Sequence, residues 1–255
     1  MKIYLISLEL DSQRRLKIVH SFPKNYPKMQ WIKAVNGKDL AAKEYFFYIQ
    51  KYLKVNKKLL TPSEVGCTLS HLTALENFLK TDDKYALIIE DDILGEDKDI
   101  DYLKSLMKKI DFSGVLLCGG QDGLNYWKYV LAKKDIDEVY HISKFSIKFL
   151  SRTCCYVVSR DFAEYLLKFH EKNLSLADDW YKILRKTSYS FLYLDILSHP
   201  IDLSNSHIES ERSKFYEKSS FKRILEQGIF WKVYNRIRND TVAFLLMLLG
   251  FKKIK

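Results

Sequence analysis

The chain has 255 residues, of which 47% are hydrophobic, and only 9 are Gly and 4 are Pro. This composition excludes a disordered or fibrous protein and suits one α/β domain with a small appendage. The net charge of +10 is concentrated in residues 212–255, which hold 11 Lys+Arg against 3 Asp+Glu, leaving 31 against 29 elsewhere. We therefore predict a near-neutral domain over residues 1–210 and a basic tail over residues 211–255.

The cysteine pattern and the amino-terminal segment predict a cytoplasmic protein. None of Cys67, Cys118, Cys154 and Cys155 forms a CxxC pair, so we expect reduced core residues and no zinc site. The apolar run at residues 1–8 is short, is interrupted by Glu9 and is typical of a first buried strand rather than a secretory signal. No apolar run approaches the roughly 20 residues that span a bilayer.

Strand-like and helical segments alternate along the chain. Strands are predicted over residues 3–8, 30–35, 86–89, 115–118, 153–159 and 191–195, and helices over residues 11–20, 40–54, 61–80, 100–110, 161–170 and 178–186. The start of the third helix is well marked, because Thr61 can cap it, Pro62 suits its first turn and Glu64 completes a capping box. Residues 121–148 show no clear pattern. The alternation predicts a largely parallel sheet with helices on its faces.

Three consecutive carboxylates, Glu90, Asp91 and Asp92, follow the strand predicted at residues 86–89. Their mutual repulsion is unfavourable unless a hard cation such as Mg²⁺ or Mn²⁺ binds there, and the carboxyl end of a strand is where α/β sheets bind ligands. Along an extended backbone, Glu90 and Asp92 would point the same way and Asp91 the opposite way. We predict a metal–phosphate site centred on Glu90 and Asp92, with a solvated acidic turn as the alternative.

The basic tail combines positive charge with apolar segments. Apolar residues between 221 and 238 are interspersed with Lys and Arg, and residues 242–251 form a short, nearly uniform apolar run. Together with Trp231, this pattern predicts a helix lying on an anionic membrane surface. The alternative is a helical pair that packs on the domain. Nucleic acid is not expected as a partner, because it offers no use for the apolar run.

Residues 60–71, with the sequence LTPSEVGCTLSH, resemble the LTxxExGCxxSH signature of glycosyltransferase family 25. That family includes bacterial lipooligosaccharide enzymes and collagen-modifying relatives. Further similarities follow in the same order at residues 3–15, 34–40, 86–92 and 156–159, so the resemblance covers residues 1–210. One departure is Ser7-Leu8, where the family usually has Asn-Leu.

The resemblance implies a GT-A type fold, which is a Rossmann-like α/β domain that binds a nucleotide sugar. It implies an inverting, metal-dependent transfer of a hexose, most often galactose from UDP-galactose, to a lipooligosaccharide or LPS acceptor, with Mn²⁺ or Mg²⁺ as cofactor. With the basic tail, we expect an enzyme peripheral to the inner membrane that extends a lipid-linked oligosaccharide. The alternatives are a metal-dependent phosphotransferase or nucleotidyltransferase at a membrane surface, which no glycine-rich phosphate loop supports, and a non-catalytic membrane-binding module.

The resemblance also implies roles for individual residues. Asp92 would ligate the metal, Glu90 would act on it through water or contact the ribose, and Asp91 would belong to the donor site. His207, after the last strand, is a candidate third metal ligand, with an ordinary loop histidine as the alternative. The remaining predicted donor contacts are Ser7, Arg15, Glu64, Ser70 and His71.

Two further predictions concern Gly66 and the general base of the reaction. A glycine in the first turns of a helix is destabilising, so we expect another backbone or a nucleotide to approach closely at Gly66. Direct displacement at an acceptor hydroxyl needs a general base. The resemblance points to Asp179, with Asp178 as the alternate, because family members carry an acidic residue after the corresponding strand region. Both aspartates open a predicted helix, where capping alone explains a carboxylate equally well.

Overall fold

The computed structural model describes residues 1–124, 126–202, 206–216 and 229–254. In these ranges the strands form one nine-stranded sheet with the spatial order β2-β1-β3-β7-β4-β8-β6-β5-β9. The strands in chain order are β1 (Lys2–Ser7), β2 (Met29–Lys33), β3 (Tyr85–Glu90), β4 (Gly114–Gly119), β5 (Leu131–Lys134), β6 (Tyr140–Ile142), β7 (Cys155–Ser159), β8 (Ser190–Leu197) and β9 (Lys252–Lys253).

Helices cover both faces of the central strands, so the strands are apolar on both sides. On β1, Tyr4 and Ile6 join one core cluster, and Ile3 and Leu5 join the other. The α-helices are α1 (Ser12–Ser21), α2 (Ala42–Asn56), α3 (Pro62–Leu79), α4 (Asp97–Leu106), α5 (Arg160–Lys172), α6 (Trp180–Leu184), α7 (His207–Tyr216) and α8 (Ile229–Leu248).

The sheet is mixed, whereas the sequence pattern predicted a largely parallel one. β7 lies between β3 and β4 and runs antiparallel to both. The reason is that the chain leaves β4 and enters β7 at the same end of the strands. The two points are close together, because the Arg152 guanidinium donates to the Gly120 carbonyl at 2.8 Å. Without a crossover, the returning strand must run backwards. Its first residues therefore lie beside the carboxyl end of β3.

The start of α3 has the predicted capping box. The Glu64 amide donates to Thr61 Oγ1 at 3.2 Å, and the Thr61 amide donates to Glu64 Oε2 at 2.8 Å. The close approach expected at Gly66 is made by protein backbone, because a Cβ there would lie 2.4 Å from the Val35 carbonyl oxygen. The segment between β2 and α2 is thereby held directly against α3.

The carboxyl-terminal region is more closely joined to the domain than the predicted boundary implies. That boundary, between residues 210 and 211, falls inside α7. α8 is one continuous helix that contains the end of the basic stretch and most of the apolar run. The Tyr129 hydroxyl donates to Asp240 at 2.8 Å, and β9 pairs with β5, which would otherwise be an exposed sheet edge. Among the helices described, none is both long and apolar enough to cross a bilayer.

Candidate functional site

A cavity of about 440 Å³ lies at the carboxyl ends of β1 and β3. These two strands are parallel neighbours, so the residues that follow them meet at one edge of the sheet. The start of β7, the end of β8, α3 and α7 supply the other walls. The residues that were predicted for the site and line the cavity are Ser7, Glu64, Ser70, His71, Glu90, Asp91, Asp92 and Asp178.

Asp91 faces this cavity, although strand alternation predicted the opposite direction. β3 ends at Glu90 and the chain turns at the next two residues, so the alternation stops there. Ser7 Oγ donates to Asp91 Oδ2 at 2.6 Å, and Arg14 Nη1 donates to Asp91 Oδ1 at 3.2 Å. Burial raises the pKa of Asp91 to about 6, against the lowering effect of Ser7 and Arg14. Both carboxylate oxygens of Asp91 thus bind neighbouring side chains.

Asp92 is the carboxylate that fits a hard cation. Its buried Oδ1 has no hydrogen-bond partner among the residues that the structure describes. Its Oδ2 lies 3.4 Å from His199 Nε2 and 3.6 Å from Arg14 Nη1. Burial alone would raise the pKa of Asp92, but the hydrogen bond and charge of His199, with Arg14, lower it and keep the group ionised. An ionised carboxylate with an unpartnered oxygen suits Mn²⁺ or Mg²⁺.

His199, which the sequence reasoning missed, is the histidine beside Asp92. Its Nδ1 lies 2.8 Å from the Pro200 carbonyl oxygen, which fixes the proton on that nitrogen. In the neutral ring, Nε2 is then an acceptor facing a carboxylate oxygen, and a proton or a cation must lie between them. Burial lowers the pKa of His199, but the hydrogen bond to Asp92 and the charge of Asp92 raise it, and the net shift is upward.

A sequence signal for His199 existed, because it lies two residues after the end of β8, at the same end of the sheet as the carboxylates. The predicted His207 instead begins α7. The side chain of His207 lies outside the described part of the chain, as do Ser204 and Asn205 before it, so its metal role stays a prediction.

Glu90 has different partners from Asp92. His71 Nε2 lies 3.2 Å from Glu90 Oε1, and Thr153 Oγ1 donates to the same oxygen at 3.1 Å. The other ring nitrogen of His71, Nδ1, lies 3.1 Å from the Tyr156 hydroxyl. Cys67, one helical turn before His71, adds its thiol to this group. Burial and the nearby Glu90 carboxylate raise the pKa of the Cys67 thiol.

Glu64 and Ser70 line the cavity, but their polar groups also hold its walls together. Glu64 Oε1 accepts from Arg212 Nε at 2.8 Å, which joins α3 to α7. Ser70 Oγ donates to the Gly66 carbonyl at 2.7 Å and accepts from the Val35 amide at 2.8 Å. Arg212, which lines the cavity from α7, belongs to the region that the sequence analysis assigned to the tail.

The two adjacent arginines of α1 have different positions. Arg14 lines the cavity and contacts Asp91 and Asp92, whereas Arg15 is not among the residues that line it. Arg15 donates to Ser7 Oγ at 3.0 Å and stacks 4.4 Å above the Trp31 ring. Its contacts therefore stabilise the end of β1 beside the cavity, and its role as a donor contact stays a prediction.

Asp178 and Asp179 also separate in the structure. Asp179 caps α6, because its Oδ1 accepts from the Lys182 amide at 3.2 Å. Asp178 lines the cavity, and its Oδ2 accepts from the Arg152 amide at 2.9 Å. Burial raises the pKa of Asp178. The backbone of Arg152 is in the left-handed region at φ 64°, which is unfavourable for a residue other than glycine. Backbone strain of this kind is concentrated at functional sites.

The fold and the site define an α/β protein with a cavity that is rich in carboxylates and lies at the carboxyl ends of its parallel strands. Residues 1–181 match the sequence profile of glycosyltransferase family 25 (LPS biosynthesis protein). The chain belongs to this family, as its motifs predicted.

Two mosquito relatives are each named "Glycosyltransferase 25 family member". The Anopheles gambiae protein is 31% identical over 99 residues, which are 37% of this chain and 17% of that protein. The Aedes aegypti protein is 30% identical over 99 residues, which are 37% of this chain and 16% of that protein. The match thus spans only a small part of these relatives. A "Putative glycosyltransferase" of Haemophilus influenzae is 25% identical over 244 residues, covering 88% of this chain and 81% of the relative.

Similar solved structures are more distant. One is UDP-glucose pyrophosphorylase complexed with UDP-glucose, with a TM-score of 0.41 and 12% identity over 86% of this chain and 99% of that one. Another is the inositol-1-phosphate CTP transferase from T. maritima, with a TM-score of 0.38 and 14% identity over 85% of this chain and 96% of that one.

Proposed function

We propose that this protein is an inverting, metal-dependent glycosyltransferase that transfers a hexose from a nucleotide sugar to an oligosaccharide hydroxyl. Its GT-A type site would be the cavity at the ends of β1 and β3, and UDP-galactose is the first donor to test. The observation that carries the proposal is Asp92, which offers an unpartnered buried oxygen beside His199 in a family 25 chain.

The donor's diphosphate and its cation would occupy the acidic end of the cavity. Mn²⁺ or Mg²⁺, when bound, supplies positive charge that stabilises the leaving nucleoside diphosphate. Asp92 and His199 Nε2 would hold the cation, and Glu90 would reach it through water. Arg14 contacts Asp91 and Asp92 and so offsets the repulsion between these carboxylates.

Asp178 is our candidate for the general base, in place of Asp179. A single displacement with inversion needs a group that takes the proton of the acceptor hydroxyl. Asp178 lies in the cavity wall, and burial raises its pKa toward the range in which a carboxylate accepts a proton well. Asp179 caps α6 through the Lys182 amide, which gives its carboxylate a structural use.

A donor screen tests this proposal. The purified protein is incubated with Mn²⁺, an oligosaccharide acceptor and a panel of UDP-sugars, and released UDP and pyrophosphate are measured separately. We expect UDP release with one donor, its loss in Asp92→Asn, and its retention in Asp82→Asn, an exposed substitution that precedes β3 at the far end of the strand. Release of pyrophosphate would favour the nucleotidyltransferase alternative.

We infer that the acceptor is lipid-linked, as in LPS or lipooligosaccharide, and that α8 holds the enzyme at the cytoplasmic face of the inner membrane. Along α8, Trp231, Tyr234, Ile237, Phe244 and Leu248 recur at helical spacings and are all more than half exposed. Lys232, Arg236 and Arg238 lie on the same helix. An exposed apolar stripe with basic neighbours suits the surface of an anionic bilayer.

Vesicle flotation tests the membrane role of α8. The intact protein should float with phosphatidylglycerol-containing vesicles, float less with phosphatidylcholine vesicles, and lose binding as salt screens the charges. The double variant Phe244→Gln/Leu248→Gln should lose most of this binding. Phe47→Gln, an equally exposed aromatic substitution on α2, is the control. An intact protein that does not float with anionic vesicles would rule the role out.

A further inference from the structure

We propose that Cys67, His71 and Glu90 form a second cation site, which binds Zn²⁺. It shares no direct ligand with the Asp92–His199 pair, and Glu90, which would reach the first cation only through water, is a direct ligand here. One ligand atom from each of the three residues lies within 4.8 Å of the other two. His71 Nε2 and Glu90 Oε1 are 3.2 Å apart. Two ligands that are each about 2.1 Å from a tetrahedral Zn²⁺ lie about 3.4 Å from one another, so this pair already has the required spacing.

Rigid elements hold the three ligands in place. Cys67 and His71 are four residues apart on α3, so both side chains lie on the same face of the helix. Glu90 is the last residue of β3, directly opposite that face. The capping box fixes the start of α3, and the contact between Gly66 and the Val35 carbonyl fixes its position in the fold. Ligands on helices and strands are positioned more accurately than ligands on loops.

Two further side chains provide the outer support that metal sites need. The Tyr156 hydroxyl lies 3.1 Å from His71 Nδ1, and Thr153 Oγ1 donates to Glu90 Oε1 at 3.1 Å. If His71 binds the cation through Nε2, its Nδ1–H donates to the Tyr156 oxygen. Such a bond to the second ring nitrogen orients most metal-binding histidines. The buried tyrosine therefore has a defined function in this arrangement.

The donor set selects the kind of cation. A thiolate, an imidazole and a carboxylate together favour Zn²⁺, whereas oxygen-rich sets favour Mg²⁺ or Mn²⁺. Three protein ligands leave a fourth position, and all three residues line the cavity, so water or a substrate group can reach it. The lack of a CxxC pair in the sequence predicts no zinc site. Here the ligands are one cysteine, a histidine one helical turn later, and a distant glutamate.

Cobalt titration of the full chain tests the site without any assay of sugar transfer. Co²⁺ bound to a thiolate shows a sulfur-to-metal charge-transfer absorption. We expect this band to saturate at one equivalent and to disappear when Zn²⁺ is added. It should be absent in Cys67→Ser and present in Cys118→Ala, which removes a buried thiol on β4. Tyr156→Phe should weaken the cobalt affinity by about 10-fold or more through its effect on His71.

The unmodified protein alone decides the question, whatever the folding of the variants. Absence of the thiolate band at saturating Co²⁺, together with no zinc retained after purification, would overturn the proposal. A band that survives in a folded Cys67→Ser variant would overturn this assignment of the ligands. The Mn²⁺-dependent donor screen is a separate measurement, so failure of the zinc site and failure of the proposed glycosyl transfer are distinguishable.

Discussion

At the scale of single residues, neighbours on other elements decide what each carboxylate does. Glu90, Asp91 and Asp92 are adjacent in the chain but have different partners: His71, Ser7 and His199. The sequence showed that carboxylates accumulate at this strand end. It could not assign them to partners, because those partners come from α3, β1 and the end of β8. Local patterns do not specify which distant elements become neighbours.

His170 allows a residue-scale prediction about pH. It is buried at the end of α5, where its Nδ1 accepts from the Ser175 amide at 3.4 Å. Burial lowers its pKa from 6.5 to about 4, so between these values the unfolded chain binds a proton that the folded protein does not. The contribution of His170 to the free energy of unfolding is therefore fully present above pH 6.5 and is lost as the pH drops toward 4.

Chemical denaturation at pH 7 and pH 5 measures this effect. The His170 contribution should lower the free energy of unfolding by about 2 kcal/mol between the two values. His170→Asn should reduce the pH dependence by that amount, and His20→Asn, at an exposed position, should leave it unchanged. An identical pH dependence in His170→Asn and the unmodified protein would contradict the buried, neutral state of His170.

At the scale of elements, α3 shows which features the sequence predicts well. Its start was predicted to the residue, because Thr61, Pro62 and Glu64 act within one helical turn. The direction of β7 was not predicted, because an apolar strand pattern is the same for parallel and antiparallel strands. That direction depends on where residues 120–154 return to the sheet, which is a long-range property of the chain.

Gly66→Ala tests the packing of α3 with a result opposite in sign to helix propensity. Propensity alone predicts that alanine stabilises a helix by about 1 kcal/mol relative to glycine. The structure predicts destabilisation, because the new Cβ would lie 2.4 Å from the Val35 carbonyl oxygen and 2.6 Å from the Gly37 amide nitrogen. We expect a loss of about 1–3 kcal/mol by urea denaturation. A stabilised variant would show that this close backbone contact is absent.

At the scale of the whole molecule, both ends of the chain contribute to the cavity. The β1–α1 connection supplies Asp11, and α1 supplies Arg14. Helix α7 supplies Arg212, which contacts the buried Glu64. β9 then closes the sheet beside β5. Removal of residues 211–255 would therefore disturb the cavity wall and the sheet, so α8 is better studied by surface substitutions. The charge asymmetry identified a distinct region but did not show that the domain depends on it.

We propose, above all, that the cavity binds a nucleoside diphosphate through a cation held by Asp92. Calorimetric titration of UDP into the protein, with Mn²⁺ or with EDTA, tests this claim most directly. We predict binding only with Mn²⁺, weakened on the order of 100-fold in Asp92→Asn and unchanged in Asp82→Asn. Equal UDP affinity in EDTA, or an affinity that Asp92→Asn leaves unchanged, would contradict it.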